Sequence, residues 1–261
     1  MSAQQPDPFV QYYANESAKE STLQRFAAIK TSVERVARAC GMSGESWTVA
    51  DIGCGAGTQS AMWARDGHRV FGLDINGPLI ELGKQRAQQA GLTIDLTTGT
   101  ATALPWPDAS MDICLSPELL EHVPDWRQCI AEATRILRPG GVLYLSTTNK
   151  LCPVQHEFDV PGYSWFPQSL KRRYERLAVT TRPELVNHAQ YPAVNWFTYF
   201  GLRDYMKTLG FDCLDRFDAA ALGSPSGAGG LALGVIRATP LTRAFGHMCT
   251  PYTTVYAVRK R

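Results

Sequence analysis

Trp47-Thr48-Val49-Ala50-Asp51-Ile52-Gly53-Cys54-Gly55-Ala56-Gly57 decides how the rest of this chain is read. A short β-type run ends at Asp51 and opens into glycines at alternate positions, with a helical segment behind them. Glycines so spaced let the backbone turn sharply and let a ligand lie against bare peptide, where any Cβ would intrude. The spacing is G-x-G-x-G, not the G-x-G-x-x-G that seats a pyrophosphate on a helix N-terminus; the third phosphate-binding glycine would fall at Thr58. An acidic side chain just inside the strand would also repel a phosphate. A ligand with an amino group and a ribose, but no phosphate, fits this turn better.

Outward from that turn, Arg69-Val70-Phe71-Gly72-Leu73-Asp74-Ile75 reads as a second buried strand ending in a carboxylate. An acid at the end of the second strand of a β-α-β unit is placed to accept both ribose hydroxyls. With these residues the chain resembles the class I S-adenosylmethionine-dependent methyltransferases. The likeness continues through Gly99-Thr100-Ala101, Asp112-Ile113-Cys114-Leu115-Ser116 and Leu137-Arg138-Pro139-Gly140-Gly141, and covers about residues 45–150. It implies that Asp51, Gly53, Cys54 and Gly55 hold the methionine end of S-adenosylmethionine. It further implies that Asp74 holds the ribose, that Ile75, Thr100 and Ala101 flank the adenine, and that Ser116 lies below the methyl group. Thr100 departs from the family wording, which has an acid there to accept from the adenine amino group.

Glu118, Glu121 and His122 form the second informative cluster, in Ser116-Pro117-Glu118-Leu119-Leu120-Glu121-His122-Val123-Pro124-Asp125. On a helical turn the three project to one side, and two carboxylates with an imidazole make a divalent-metal site with positions open to substrate oxygens. A hard ion such as Mg²⁺ is favoured, while the imidazole would also admit Mn²⁺ or Zn²⁺. The wording resembles the ubiquinone-biosynthesis O-methyltransferases, with Ser146-Thr147-Thr148-Asn149 after the next strand. Asn149 or His156 would complete the metal sphere. The competing role for Glu121 and His122 is helix capping and packing without metal. His122 and His156 are then the candidate protein bases.

Strands alternating with helices predict a Rossmann-like three-layer α/β/α sandwich around a seven-stranded, mostly parallel sheet with an antiparallel last strand. The expected elements are helix 17–40, strand 47–52, helix 58–66, strand 69–74, helix 77–90, strands 93–97 and 111–115, helix 125–137, strand 142–147, helix 199–211, a strand starting over 211–216 and a last strand at 253–258. Residues 219–234, rich in Gly, Ala and Ser, read as a mobile hairpin loop. The chain reads as a single domain over 1–261, with residues 1–45 as a helical cap and 150–200 as a lid over the acceptor site. From the cap, Arg25 or Arg35 would reach the methionine carboxylate unless both sit on a solvated face. In the lid, Tyr163, Trp165, Phe166 and Trp196 are candidates for the acceptor pocket or else packing anchors. The basic run Lys171-Arg172-Arg173-Tyr174-Glu175-Arg176 is a solvated face, or faces an anionic substrate or membrane surface.

The 261 residues suffice for a large core, and 44% hydrophobic with 19% charged residues is ordinary for a globular protein. A net charge of +2 is too mild for nucleic acid to be the main partner. Seven cysteines without a C-x-x-C pair fit a reducing compartment, and the polar start at residues 1–8 lacks a signal-peptide core. The expectation is a cytoplasmic protein with at most peripheral membrane contact, a small-molecule acceptor and an open oligomeric state. The function expected is methyl transfer to a hydroxyl of a phenol, catechol or sugar. An amine or carbon acceptor, a lipid-linked substrate, and a non-catalytic cofactor-binding scaffold subunit stay open.

Overall fold

Two amphipathic stretches precede the first strand, and the second packs on one face of the sheet. In the computed structural model, which describes residues 8–186 and 191–261, they are α1 (Pro8–Glu16) and α2 (Glu20–Ala39). The expected helix over 17–40 is therefore shorter and has a second helix ahead of it. Most of the polar start lies outside the described residues.

The core then alternates as expected: β1 (Thr48–Ile52), α3 (Thr58–Arg65), β2 (Arg69–Asp74), α4 (Gly77–Gln89), β3 (Ile94–Thr98), β4 (Met111–Pro117), α5 (Trp126–Ile136) and β5 (Leu137–Thr148). After the insertion come α6 (Gln168–Thr180), inside it, then α7 (Tyr199–Thr208) and β6 (Phe211–Asp215). Three further helices, α8 (Arg216–Ala221), α9 (Gly227–Ala238) and α10 (Pro240–Met248), lead to β7 (Tyr252–Arg259). The strands lie in the order β3-β2-β1-β4-β5-β7-β6, and β7 runs antiparallel to both its neighbours. Strand order reverses between β1 and β4, which opens a crevice at their carboxyl ends.

Side-chain alternation along the buried strands divides the core between two faces. Val142 and Tyr144 of β5 join Val49, Ile113 and Leu115 against Val33 and Val36 of α2 and Trp63 of α3. Leu143 and Leu145 point the other way, with Ala50 and Cys114, against Ile130 of α5 and Leu202 and Met206 of α7. These two layers make the sandwich.

Residues 219–234 are not a hairpin loop. Their composition is loop-like, yet most of the stretch lies in α8 and α9; α9 has no side-chain cap of its own and stands between two capped helices. Asp215 accepts from the backbone of Phe217 and Asp218 in a capping box that starts α8, and Thr239 with Pro240 starts α10 in the same way.

The insertion has a small core of its own. Phe158, Tyr163, Ala178 and Val186 are buried together, with Phe166, Tyr174 and Trp196 packed against them. Lys171 is buried there as well, its ammonium donating to the Ser164 carbonyl at 2.9 Å and lying 4.3 Å over the Trp196 ring. Arg172, Arg173 and Arg176 on the same helix are solvated.

Candidate functional site

The glycine turn after β1 is held in place by Asp74. Its Oδ2 accepts from the Gly55 N–H and its Oδ1 from the Asn76 N–H, both at 2.8 Å, so the end of β2 fixes the turn that follows β1. Gly53 and Gly55 adopt φ of +80° and +53°, the left-handed region that favours glycine. A Cβ on Gly55 would meet nothing within 4 Å, so that peptide is a bare wall. Cys54 turns inward, its sulfur packed so close to Gly72 that a Cβ there would come within 2.9 Å.

Asp51 is fully buried beneath this turn. Its Oδ2 accepts from the Ser60 hydroxyl at 2.6 Å, while Oδ1 has no hydrogen-bond partner. Burial pushes the carboxyl up to about 6. A buried carboxylate oxygen without a partner is costly unless a ligand supplies a donor, and an ammonium group meets that need. Asp74 keeps spare acceptor capacity, since each carboxylate oxygen has two lone pairs. Ile75 leaves 58% of its surface open, an apolar face uncovered by the chain. Asp51, Gly53, Cys54, Gly55, Asp74, Ile75, Thr100 and Ala101 all line one cavity of about 940 Å³. The residues thus fit an amine, a ribose and an adenine.

Ser116 does not reach this cavity. Strand alternation sends its side chain to the same face as Cys114, where it is buried, and Pro117 and Glu118 form the wall instead.

The stretch after β4 is a series of turns, not a helix, with Glu118 at φ +51°. That conformation separates the residues expected to act together. Glu118 turns toward α2 and pairs with Arg25. Glu121 is fully buried, with Oε2 accepting from the Thr147 hydroxyl at 2.8 Å and Oε1 without a partner. Its neighbours are His122 and Glu157, and the three offer ligand atoms within 4.8 Å of one another. His122 Nε2 lies 3.7 Å from Glu157 Oε2. The cluster is therefore Glu121, His122 and Glu157, without Glu118. Two carboxylates and an imidazole, one buried oxygen unpartnered, fit a hard divalent cation.

Burial dominates the electrostatics here. It raises the Glu121 carboxyl well above the usual range and pushes Glu157 to about 7, helped by the nearby Glu118 charge. It lowers the His122 imidazole, so that side chain favours its neutral form. Tyr13 of α1 lines the same cavity, its phenol pushed up to about 12 by burial and by the facing acids Glu157 and Glu118.

His156 stands at the cavity wall, its ring 5.9 Å from that of Tyr252. Asn149 is committed elsewhere: its amide donates to the His247 and Thr250 carbonyls at 2.7 Å, and Oδ1 accepts from the Leu151 N–H. Arg35 lies away from the cavity, donating to the Ala219 carbonyl. The aromatics Tyr163, Phe166 and Trp196 are packing anchors of the insertion core, and Trp165 is 59% exposed; none lines the cavity. Its aromatic wall comes from Tyr12, Tyr13, Phe26, Tyr191 and Tyr252. Glu157, Tyr13 and Tyr252 escape the sequence reading because no motif contains them; adjacency to His156 is the one signal that marks Glu157.

Comparison with known proteins bears on this site. A methyltransferase domain family matches residues 50–145. The ubiquinone biosynthesis O-methyltransferase of Cereibacter sphaeroides is 36% identical over 121 residues, covering 46% of this chain and 49% of that protein. The enzyme of the same name from Brucella anthropi is 34% identical over 140 residues, covering 51% and 54%. The chain thus spans about half the length of the curated relatives it matches. Among solved structures, the PH0226 protein of Pyrococcus horikoshii superposes with a TM-score of 0.57 over 96% of this chain and 99% of its own, at 15% identity. A SAM-dependent methyltransferase of Aquifex aeolicus gives 0.52 over 87% and 88%, at 12% identity. At those identities the likeness is one of fold. Residues 50–145 match a methyltransferase domain family, and the likeness to the curated relatives covers about half of this chain.

Proposed function

We propose that this chain transfers a methyl group from S-adenosylmethionine to a hydroxyl oxygen of a small molecule, with a divalent cation at Glu121, His122 and Glu157. One observation carries the reading: Asp51, Gly55 and Asp74 open into the same cavity as His122 and Glu157. When bound, the cofactor supplies a methyl group on a sulfonium that is its own leaving group, so the protein's task is to position the acceptor and prepare its oxygen.

Asp51 would take the ammonium group and the bare peptide at Gly53 and Gly55 would back the methionine. Asp74 would accept from the ribose hydroxyls, with Ile75, Thr100 and Ala101 around the adenine. A hard cation on the Glu121 cluster would lower the pKa of an acceptor hydroxyl. His122, kept neutral by burial, would serve as a ligand, and His156 at the cavity wall would then receive the hydroxyl proton. Oxygen as the acceptor atom is supported by the relatives, which are named O-methyltransferases of ubiquinone biosynthesis. Phenols, catechols and sugars are the acceptor classes to test, and a quinone precursor is one of them.

Calorimetry should register S-adenosylhomocysteine and not NAD. Product analysis with labelled methyl donor across catechols, sugars and polyprenyl phenols then reads the acceptor. A product methylated on nitrogen or carbon would overturn the oxygen assignment, and absence of cofactor binding would overturn the whole reading.

A further inference from the structure

Glu121 and His122 sit on a stretch that belongs to no helix or strand, residues 118–125 between β4 and α5. Backbone carbonyls outside a ladder need partners from elsewhere. Those of Leu120, Glu121 and Val123, on either side of the two cluster residues, are all bonded from residues 194 and 195, at the end of the insertion.

Asn195 supplies most of these bonds. Its side-chain Nδ2 donates to the Leu120 carbonyl at 2.9 Å and to the Val123 carbonyl at 2.7 Å. Its backbone N–H donates to the Glu121 carbonyl at 3.1 Å, beside the Val194 N–H at 2.8 Å on the same oxygen. The chemistry of the clamp is restrictive. A primary amide carries two N–H donors on one atom, whereas a hydroxyl has a single hydrogen and a carboxylate would set oxygen against two carbonyl oxygens. The two carbonyls therefore also fix which way the amide points.

The same contacts give the Ser146-Thr147-Thr148-Asn149 run a physical role. The Ser146 carbonyl accepts from the Glu118 N–H at 2.7 Å, and the Thr147 hydroxyl donates to Glu121 Oε2 at 2.8 Å. The Thr148 hydroxyl donates to the Asn195 carbonyl at 3.0 Å, and Asn149 bridges to Phe197. The end of β5 thus holds the Glu121 carboxylate directly and the Glu121 backbone through Asn195. Residues flanking Asn195 reach three other places: Tyr191 and Pro192 line the cavity, Trp196 packs on the insertion core, and the Phe197 ring meets that of Trp126 on α5 edge-on at 5.2 Å.

We infer that Asn195 is a positioning residue, which fixes the turn on which Glu121 and His122 meet Glu157. The inference rests on the reading of those three residues as a cation site. A displacement of about 1 Å is enough to weaken such a site, so loss of the clamp should be felt in the cluster before it is felt in the fold.

The test compares Asn195→Ala, which removes both amide donors and keeps the backbone bonds, with Asn195→Asp, which turns them into acceptors. Manganese binding by electron paramagnetic resonance should weaken severalfold in the first and at least tenfold in the second, with kcat falling in step. S-adenosylhomocysteine affinity should change by less than twofold. In metal-free buffer, amide hydrogen exchange over residues 118–123 should quicken severalfold in Asn195→Ala. Val142→Ala, at the far end of β5 in the other core layer, is the control; it should lower the thermal midpoint and leave manganese affinity as it was. If Asn195→Asp does not fold, Asn195→Ala is read alone. Unchanged exchange over the turn, variants that bind manganese as tightly as a wild type that binds it, or an equal loss of manganese affinity in the control would each overturn the inference. A wild type that binds no manganese would instead overturn the cation reading, and the exchange measurement alone would then decide for or against Asn195.

Discussion

The Glu157 carboxylate and the His122 imidazole stand 3.7 Å apart, one from the insertion and the other from the turns after β4. Neither element makes the site alone. On the proposed reading the insertion supplies a ligand as well as a cover, and this carries the first prediction.

Glu157→Gln should remove one ligand while leaving the methyl-donor site intact. Manganese binding, followed by electron paramagnetic resonance, should fall at least tenfold, and so should turnover. S-adenosylhomocysteine affinity should change by less than twofold. EDTA should reproduce this split in the wild type, and Glu121→Gln should reproduce it by mutation. Full activity in metal-free buffer would leave Glu121 and His122 as structural residues and favour a protein base.

Asp51 sets stability against binding. Burial raises its folded pKa to about 6, above the value of about 3.9 for an unfolded chain. Between those values the folded state binds more protons than the unfolded one, so stability falls as pH rises through the window. The shift corresponds to about 3 kcal/mol lost above pH 6. Asp51→Asn should therefore melt a few degrees higher than wild type at pH 7.5, with little difference near pH 4. It should bind S-adenosylhomocysteine at least tenfold more weakly. A variant that melts lower at pH 7.5 would show that the carboxylate stabilises the apoprotein.

Lys171 has the opposite slope. Its folded pKa is lowered to about 8 by burial, so between about 8 and 10.4 the unfolded chain holds more protons. Its contribution to stability thus rises with pH across that window, and the clearest range is pH 8 to 10, before tyrosines begin to ionise in the unfolded chain. Lys171→Met should be the more stable protein at pH 7, with the difference narrowing by pH 9.5. Thermal melts at the two pH values check this; a constant difference would contradict it.

Arg25 pairs with Glu118 and so ties α2 to the turn after β4. Arg25→Ala should loosen the cap over the cavity and leave Glu118 unpaired. The pair is partly solvated, so its direct contribution to stability is small, of order 1 kcal/mol or less. S-adenosylhomocysteine affinity should drop several-fold and protease cleavage between α1 and α2 should quicken. Unchanged affinity and cleavage would make the pair an incidental surface contact.

The fold and the convergence of Asp51, Gly53, Gly55 and Asp74 on one cavity were legible in the sequence because both are local. Period-two and period-3.6 patterning set the strands and helices from β1 to β5. The glycine turn and Asp74 belong to a single β-α-β unit whose geometry fixes their distance. Asp51, Gly53, Gly55 and Asp74 meet because consecutive parallel strands must. Composition misled at residues 219–234, which fall mostly in α8 and α9; Asp215 and Thr239 cap the helices on either side of α9, and neither signal lies inside the glycine- and alanine-rich stretch.

The cluster of Glu121, His122 and Glu157 depended on tertiary structure. The spacing of Glu118, Glu121 and His122 implied one helical face, but a positive φ at Glu118 breaks that face and gives Glu118 to Arg25, distant in sequence. Glu157 takes its place because the insertion folds around its own aromatic core and returns to the sheet edge. Of the aromatics marked as pocket candidates, Tyr163, Phe166 and Trp196 are used up in that core, and the tyrosines on the cavity wall come from α1, the insertion and β7. Periodicity encodes which face of an element is buried. It does not encode which remote element covers that face, because closing a long loop leaves no local pattern behind.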